Sequence, residues 1–268
     1  MTFNTEKAIL AQTKYKRGFT PPDDAYVISA SMIAKDPLQN YLTILYGSQE
    51  EKTISDSVLG SVFHKGLEQI ILAEKEKNTD EHVLIEHTMH KKLANGWYLS
   101  GTADLIIRRP DGTSDIEDHK LTKTYALKMI KKDLNTHDYT VQLQALDLLN
   151  WNENPFKVDE RLQSTLKINV FCKDAKAIDK EPTFTPVTAP NTDLQNFEDN
   201  VIAITDSLQA YIEEGEIPKK CEDTWIRKLK NGKTIETKCA LYCSHGRAGN
   251  CMYYKPDTRE SVNLLTNW

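Results

Sequence analysis

The chain has 268 residues, 39% of them hydrophobic and 27% charged, with a formal net charge of −5 and a sequence pI near 5.8. That length fits one domain, or one domain with a small appendage, and can bury a core without disulfide staples. With 10 prolines and 11 glycines it is neither disordered nor collagen-like, and apolar runs such as Gln69–Ala73 fall far short of the roughly 20 residues of a membrane span. The opening residues Met1-Thr-Phe-Asn-Thr-Glu-Lys7 lack the apolar stretch of a signal peptide, so the expectation is a soluble, cytoplasmic protein with no membrane contact. Net acidity by itself counts against nucleic-acid binding, because such domains usually carry a basic excess.

Residues 1–26 are polar and run through Pro21-Pro22-Asp23-Asp24, which reads as a lead-in. Ser29 to Pro37 reads as the capped start of a short helix. From about Asp56 to Lys77, Leu59, Val62, Phe63, Leu67, Ile70 and Ile71 recur at helical spacing, with His64 beside the stripe. Three extended segments follow, Val83–Met89, Trp97–Arg108 and Ser114–Leu121, with turn signals at Asn95-Gly96 and Pro110-Asp111-Gly112. Tyr125–Lys132 and Tyr139–Asn150 read as helices. Leu166, Ile168, Val170 and Cys172 alternate with Lys167, Asn169 and Phe171 as a fourth strand, with Cys172 on its apolar face. A long amphipathic helix over about Thr192–Glu214 ends at Gly215-Glu-Ile-Pro218. This order predicts an α/β domain with a mixed sheet over residues 27–215, followed by a cysteine-rich tail over 216–268.

The chemistry centres on Gly101-Thr-Ala-Asp104 and Ile116-Glu-Asp118-His-Lys120. Side chains two apart on a strand share a face, so Asp118 and Lys120 point one way and Glu117 and His119 the other. Asp104, across a short hairpin turn, can approach Asp118. Two carboxylates with an ammonium beside them make a divalent-metal site of the kind that holds Mg²⁺ and leaves positions for water and phosphate. An isolated Asp-x-Lys is more commonly a solvated cross-strand ion pair. Glu117 has no lysine two residues beyond it, Glu86 reads as an exposed strand glutamate, and His82, His87 and His90 read as solvated surface.

These motifs resemble the RecB-like exonuclease branch of the PD-(D/E)XK nuclease superfamily, in its phage and prophage form. Gly60-Ser-Val-Phe-His64-Lys-Gly-Leu-Glu68 looks like the helix carrying a metal-binding histidine. Gly101–Asp104 and Asp118-His-Lys120 look like the two acidic motifs, and Gln142-Leu-Gln-Ala-Leu146 like the glutamine helix, with Leu146 where that branch usually has tyrosine. Cys221-Glu-Asp-Thr-Trp225 and Cys239-Ala-Leu-Tyr-Cys243 resemble its cysteine continuation. The resemblance implies a restriction-endonuclease-like core with a central mixed sheet flanked by helices. It implies a Mg²⁺- or Mn²⁺-dependent deoxyribonuclease, an exonuclease in preference to an endonuclease, that cleaves single- or double-stranded DNA and leaves 5′-phosphates. The implied setting is recombination, replication or DNA degradation in a bacterial or phage-infected cytoplasm, with a recombination or replication protein as partner. Asp104, Asp118, Lys120 and Gln142 would be catalytic, and His64, Asp104, Asp118 and the His119 carbonyl would hold the metal. The alternatives are a non-catalytic DNA-binding module on the same fold and an RNA-directed nuclease.

The spacing Cys221-x17-Cys239-x3-Cys243-x7-Cys251 can close a tetrahedral Zn²⁺ site or a [4Fe–4S] cluster. All four ligands coming from the tail tilts the reading slightly to zinc, and His245 could replace one of them. Charge is distributed unevenly. Lys219–Lys238 holds seven basic residues against three acidic ones, and Lys123, Lys128, Lys131 and Lys132 follow the Asp118 strand. Lys123, Lys128, Lys131, Arg227, Lys228 and Lys230 are therefore the candidate DNA-phosphate contacts.

Overall fold

The structure, a computed structural model, describes residues 21–22, 25–47, 54–75, 82–156, 164–174, 184–222, 226–228, 234–236 and 243–254; of 54–58, 75, 226–228, 234–236, 244 and 247 only the backbone is described. The strands are β1 (Val27–Ser29), β2 (His82–Lys92), β3 (Tyr98–Arg108), β4 (Ser114–Thr122), β5 (Thr165–Cys172), β6 (Phe184–Ala189), β7 (Ile226–Lys228) and β8 (Thr234–Glu236). The helices are α1 (Pro37–Tyr46), α2 (Ile54–Lys75), α3 (Thr124–Lys132), α4 (Asp138–Glu153), α5 (Leu194–Glu214) and α6 (Ser244–Arg247). The chain divides into two compact units, Met1–Ala34 with Thr53–Ala203, and Lys35–Lys52 with Ile204–Trp268.

The first unit is built on a six-stranded mixed sheet in the order β1-β3-β4-β5-β6, with β2 pairing β3. β1 runs parallel to β3 and β4 parallel to β5, while β2–β3, β3–β4 and β5–β6 are antiparallel. Both predicted turns form. Gly96 (φ +89°) closes the first, where Leu93 N–H donates to Trp97 O at 2.8 Å and Asn95 Oδ1 accepts from Trp97 N–H. Gly112 (φ +89°) closes the second, its N–H donating to Arg109 O at 3.0 Å. Both glycines adopt a left-handed backbone that a side chain would oppose. The fold class read from the sequence, an α/β domain with a central mixed sheet flanked by helices, is the one observed.

Helix α4 is the hub of the core. Thr140 and every residue from Leu143 to Asn150 are buried, so its polar side chains need internal partners. They have them: Gln144 Nε2 donates to Pro190 O, Ser164 Oγ donates to Asp147 Oδ1 at 2.6 Å, and Arg108 Nε donates to Asn150 Oδ1 at 2.8 Å. Against the sheet, Leu146 and Leu149 press on Gly101, where a Cβ would stand 2.7 Å from Leu146 Cδ2 and 2.9 Å from Ala30 Cβ.

Three features depart from the sequence reading. Residues 29–37 are not one helix start: Ser29 ends β1, Ala30–Met32 form a 3₁₀ turn, and α1 begins only at Pro37. There Asp36 caps the first turn by accepting from Leu38 N–H, and proline occupies the first helical turn, where its missing N–H costs nothing. β6 gave no strand signal because Pro186 interrupts it. A proline is tolerated there because β6 is the sheet edge. The tail contains the antiparallel pair β7–β8, in register from Ile226↔Glu236 to Lys228↔Thr234. Within the second unit, Thr43 Oγ1 of α1 and His245 Nε2 of α6 are hydrogen-bonded at 2.9 Å.

Substituting Gly101→Ala should destabilise the protein by about 1–3 kcal/mol through overpacking against Leu146 and Ala30. Equilibrium urea unfolding is the measurement, and an unchanged midpoint would mean that α4 is not held this closely to β3.

Candidate metal centre

The site forms where β3 changes partners along one edge. Tyr98–Ser100 pair with β1, and Leu105–Arg108 pair with β4. The Gly101-Thr-Ala-Asp104 segment lies between these two ladders. The β3–β4 ladder ends at Leu105↔Glu117, while β4 continues beside β5 as far as Thr122. In the opening, the His119 N–H donates to Asp104 Oδ2 at 2.6 Å, so a carboxylate takes the place of a backbone acceptor.

Asp118 is buried and Lys120 answers it. The ammonium donates to Asp118 Oδ1 at 2.9 Å and lies 2.8 Å from Oδ2, so it is paired with both carboxylate oxygens. Gln142 of α4 donates through Nε2 to Asp118 Oδ1 at 3.4 Å, and the Tyr139 ring lies 4.7 Å from the Lys120 ammonium. Burial pulls the Lys120 pKa down, but attraction and hydrogen bonding from Asp118, with Asp104 behind it, outweigh burial and raise it. Lys120 is thus a committed cation. Burial also raises the Tyr139 pKa, so Tyr139 stays a neutral phenol. For Asp104, burial and then the neighbouring Asp118 charge push the pKa up to about 6, against the pull of the His119 amide, His64 and Lys120.

His64 reaches the same place from α2. The preceding residue, Phe63, meets Phe171 of β5 edge-on, with ring centroids 4.7 Å apart, which docks the helix on the sheet. His64 Nδ1 then lies 3.8 Å from Asp104 Oδ2 and 3.7 Å from Glu86 Oε1. The Glu86 carboxylate, partly offset by burial, raises the His64 pKa, and Asp104 adds to the rise.

Glu86 is a residue that sequence reasoning set aside. It stands opposite Asp104 in the β2–β3 register, between Ile85↔Leu105 and His87↔Ala103, yet it has φ +49°, the one left-handed backbone among described non-glycine residues. The facing of β3 changes over the same stretch. Gly101 abuts α4, and so does Arg108 seven positions on, which strict alternation would turn to the opposite face.

The opposite side of β4 holds a second network, with the His119 imidazole between it and Asp104. Glu117 accepts from Lys167 Nζ at 3.1 Å and Asn169 Nδ2 at 2.7 Å, so it is engaged away from the site. The imidazole of His119 is buried beside Phe171, with Nδ1 4.0 Å from Asp104 Oδ2 and Nε2 3.6 Å from Glu117 Oε2, and its backbone amide donates to Asp104. His87 pairs with Glu153 of α4 at 3.1 Å rather than facing solvent freely, and His82 and His90 are exposed. Leu146 is fully buried against Gly101, which leaves no room there for a tyrosine. The tyrosine that meets the Lys120 ammonium is Tyr139, one turn before Gln142.

Lys123, Lys128 and Lys131 are exposed at α3, directly after β4. Arg227 and Lys228 lie on β7, and Lys230, Trp225 and Cys239 lie outside the described residues. Cys172 is buried in β5. Cys243 and Cys251 are buried, Cys221 is half-buried, and Gly246 N–H donates to Cys243 Sγ at 3.4 Å. Among the described residues, one group of three possible ligands has all its donor atoms within 4.8 Å of one another: His64, Glu86 and Asp104.

Neither the protein-family models nor the curated proteins give a match. Among solved structures the chain is similar to SSO0001, at 15% identity and a TM-score of 0.55 over 94% of this chain and 97% of that one. It is also similar to the alkaline exonuclease LHK-Exo from Laribacter hongkongensis, alone and in complex with dAMP, at 18% identity and a TM-score of 0.43 over 70% of this chain and 91% of that one. The likeness to SSO0001 is one of fold. No described helix is long and apolar enough to cross a membrane.

The elevated Asp104 pKa makes a prediction with a definite sign. The folded state holds the proton more tightly than the unfolded chain, whose value is 3.8. This group's contribution to stability is therefore present below that value and lost as pH rises through about 6. In chelator, Asp104→Asn, which keeps an acceptor for the His119 amide, should gain thermal stability relative to wild type as pH rises through that window. Paired melting curves test this, and a pH-independent difference would remove Asp104 as the source.

Proposed function

We propose that the chain is a divalent-metal-dependent DNA nuclease of the PD-(D/E)XK type, hydrolysing phosphodiester bonds to leave 5′-phosphates, with exonuclease action favoured. The observation that carries this reading is the juxtaposition of Asp104 and Asp118 with the Lys120 ammonium on Asp118 and His64 beside Asp104. It joins the sequence motifs to one place in the fold.

The donor set fits a hard divalent cation. The Asp118 charge helps push the Asp104 pKa up to about 6, and a cation held by the two carboxylates would relieve that repulsion. Asp104, Asp118, His64 and the His119 carbonyl would hold Mg²⁺ or Mn²⁺. Bound there, the ion would supply Lewis-acid chemistry, neutralising charge on a phosphate and making water more acidic.

The remaining roles belong to the chain itself. Lys120, held as a cation, donates hydrogen bonds and does not accept a proton, so it would orient the attacking water and stabilise charge growing on the phosphate. Gln142 fixes the Asp118 carboxylate from α4. Tyr139 packs its ring on the ammonium and limits its swing. Lys123, Lys128 and Lys131, with Arg227, Lys228 and Lys230, would guide the DNA backbone. Processing of phage-type DNA in recombination, replication or degradation, alongside a recombination or replication protein, is the setting this activity would serve.

In the tail, Cys221, Cys239, Cys243 and Cys251 would hold Zn²⁺, or else a [4Fe–4S] cluster. The N–H···S bond from Gly246 to Cys243 suits a thiolate ligand. Purified protein should contain about one zinc, or about four irons with a brown colour, per chain by elemental analysis. Cys243→Ser should lose it, and metal content unchanged by that substitution would set the centre aside.

End-labelled single- and double-stranded DNA with Mg²⁺ provides the decisive assay. Wild type should release 5′-phosphorylated products, and Lys120→Ala and Asp118→Ala should each slow this by about 100-fold or more. Equal rates for wild type and both variants would reject the site.

A further inference from the structure

We infer that Glu86 is an additional metal ligand, and that His64, Glu86 and Asp104 together form one coordination pocket on the α2 side of the site. The assignment rests on the proposed metal site and adds to it a residue that none of the motifs contains. Ligands at about 2.1 Å from an octahedral ion stand about 3.0 Å apart when adjacent and about 4.2 Å apart when opposite. His64 Nδ1 is 3.7 Å from Glu86 Oε1 and 3.8 Å from Asp104 Oδ2, and all three donor atoms lie within 4.8 Å of one another. Small side-chain shifts would bring them onto a common ion.

A merely orienting role for Glu86 is not what the geometry favours. A carboxylate that orients a metal-binding histidine sits on the ring nitrogen that faces away from the metal. Here Glu86 lies on Nδ1, the same nitrogen that faces Asp104. The backbone adds a separate observation. Glu86 is held at φ +49°, directly opposite Asp104, a conformation that glutamate adopts only when its surroundings impose it.

The test is Mn²⁺ binding to the full chain, by calorimetry and by electron paramagnetic resonance of the free ion, without DNA. Glu86→Gln should weaken Mn²⁺ binding by about tenfold or more. Glu86→Gly, which relieves the left-handed backbone, should melt higher than wild type in chelator and still bind Mn²⁺ more weakly, two shifts in opposite directions that a structural role would not give. Asp104→Asn separates the two readings. If it loses Mn²⁺ binding while Glu86→Gln binds like wild type, the Glu86 assignment is overturned and the metal site stands. If both variants bind like wild type, the metal site falls and the assignment with it.

Discussion

The structure depends on holding two carboxylates close together where a sheet opens. Asp104 and Asp118 come from neighbouring strands at the end of their shared ladder, and the Asp118 charge disfavours the ionised form of Asp104. Left alone, such a pair would take up a proton or push the strands apart. Three donors oppose that: the His119 amide on Asp104, the Lys120 ammonium on Asp118, and the Gln142 amide on Asp118. Each comes from a different constraint, namely the divergence of β4, the two-residue period of a strand, and the docking of α4. The surrounding fold is largely what is needed to deliver those donors.

Two packing contacts fix the delivery. Gly101 lets α4 approach β3 until Leu146 and Leu149 touch its backbone, and this sets the height of Gln142 and Tyr139 over β4. Phe63 against Phe171 seats α2, and the next residue, His64, is thereby aimed at Asp104. Neither contact is polar. Apolar packing is poor at recognising charge but good at locating a helix to a fraction of an ångström, because protein interiors are close-packed. The division of labour follows: hydrophobic contacts set positions, and the carboxylates and their donors use them.

Much of this was legible in the chain, and the reasons differ by residue. The alternation of Asp118 and Lys120 needs only the period of a strand, and Gly96 and Gly112 need only turn chemistry, so both were readable from local pattern. Helix α4 was readable as a helix, but its burial on nearly all sides was not, since Gln144, Asp147 and Asn150 are polar and become core only through partners distant in sequence. Tyr139 was missed because the motif directs attention downstream of Gln142, whereas the space downstream belongs to Leu146 and Gly101. Glu86 reads as an exposed strand glutamate and is one; its place beside His64 and Asp104 was not legible. Reading a strand assumes that facing alternates without interruption, and a left-handed break at a glutamate has no compositional mark. The carboxylate is exposed, as a surface reading expects, and still lies 3.7 Å from His64 Nδ1.

The net charge of −5 can now be weighed against where the charges sit. An overall negative field would repel a polyanion, but fields between exposed groups fade over about 8–10 Å at ordinary ionic strength, so the local arrangement governs a contact. Around β4 the acidic residues are largely engaged. Asp115 and Glu117 are tied to Arg109, Lys167 and Asn169, and Asp118 is tied to Lys120. The lysines at α3 stand exposed immediately beyond the strand. Asp115, Glu117 and Asp118 are thus held by internal partners, while Lys123, Lys128 and Lys131 are exposed to solvent. A divalent ion between Asp104 and Asp118 would carry the same polarity into the site itself. On the proposed function, this is the arrangement that would let a phosphate approach a chain with an acidic total.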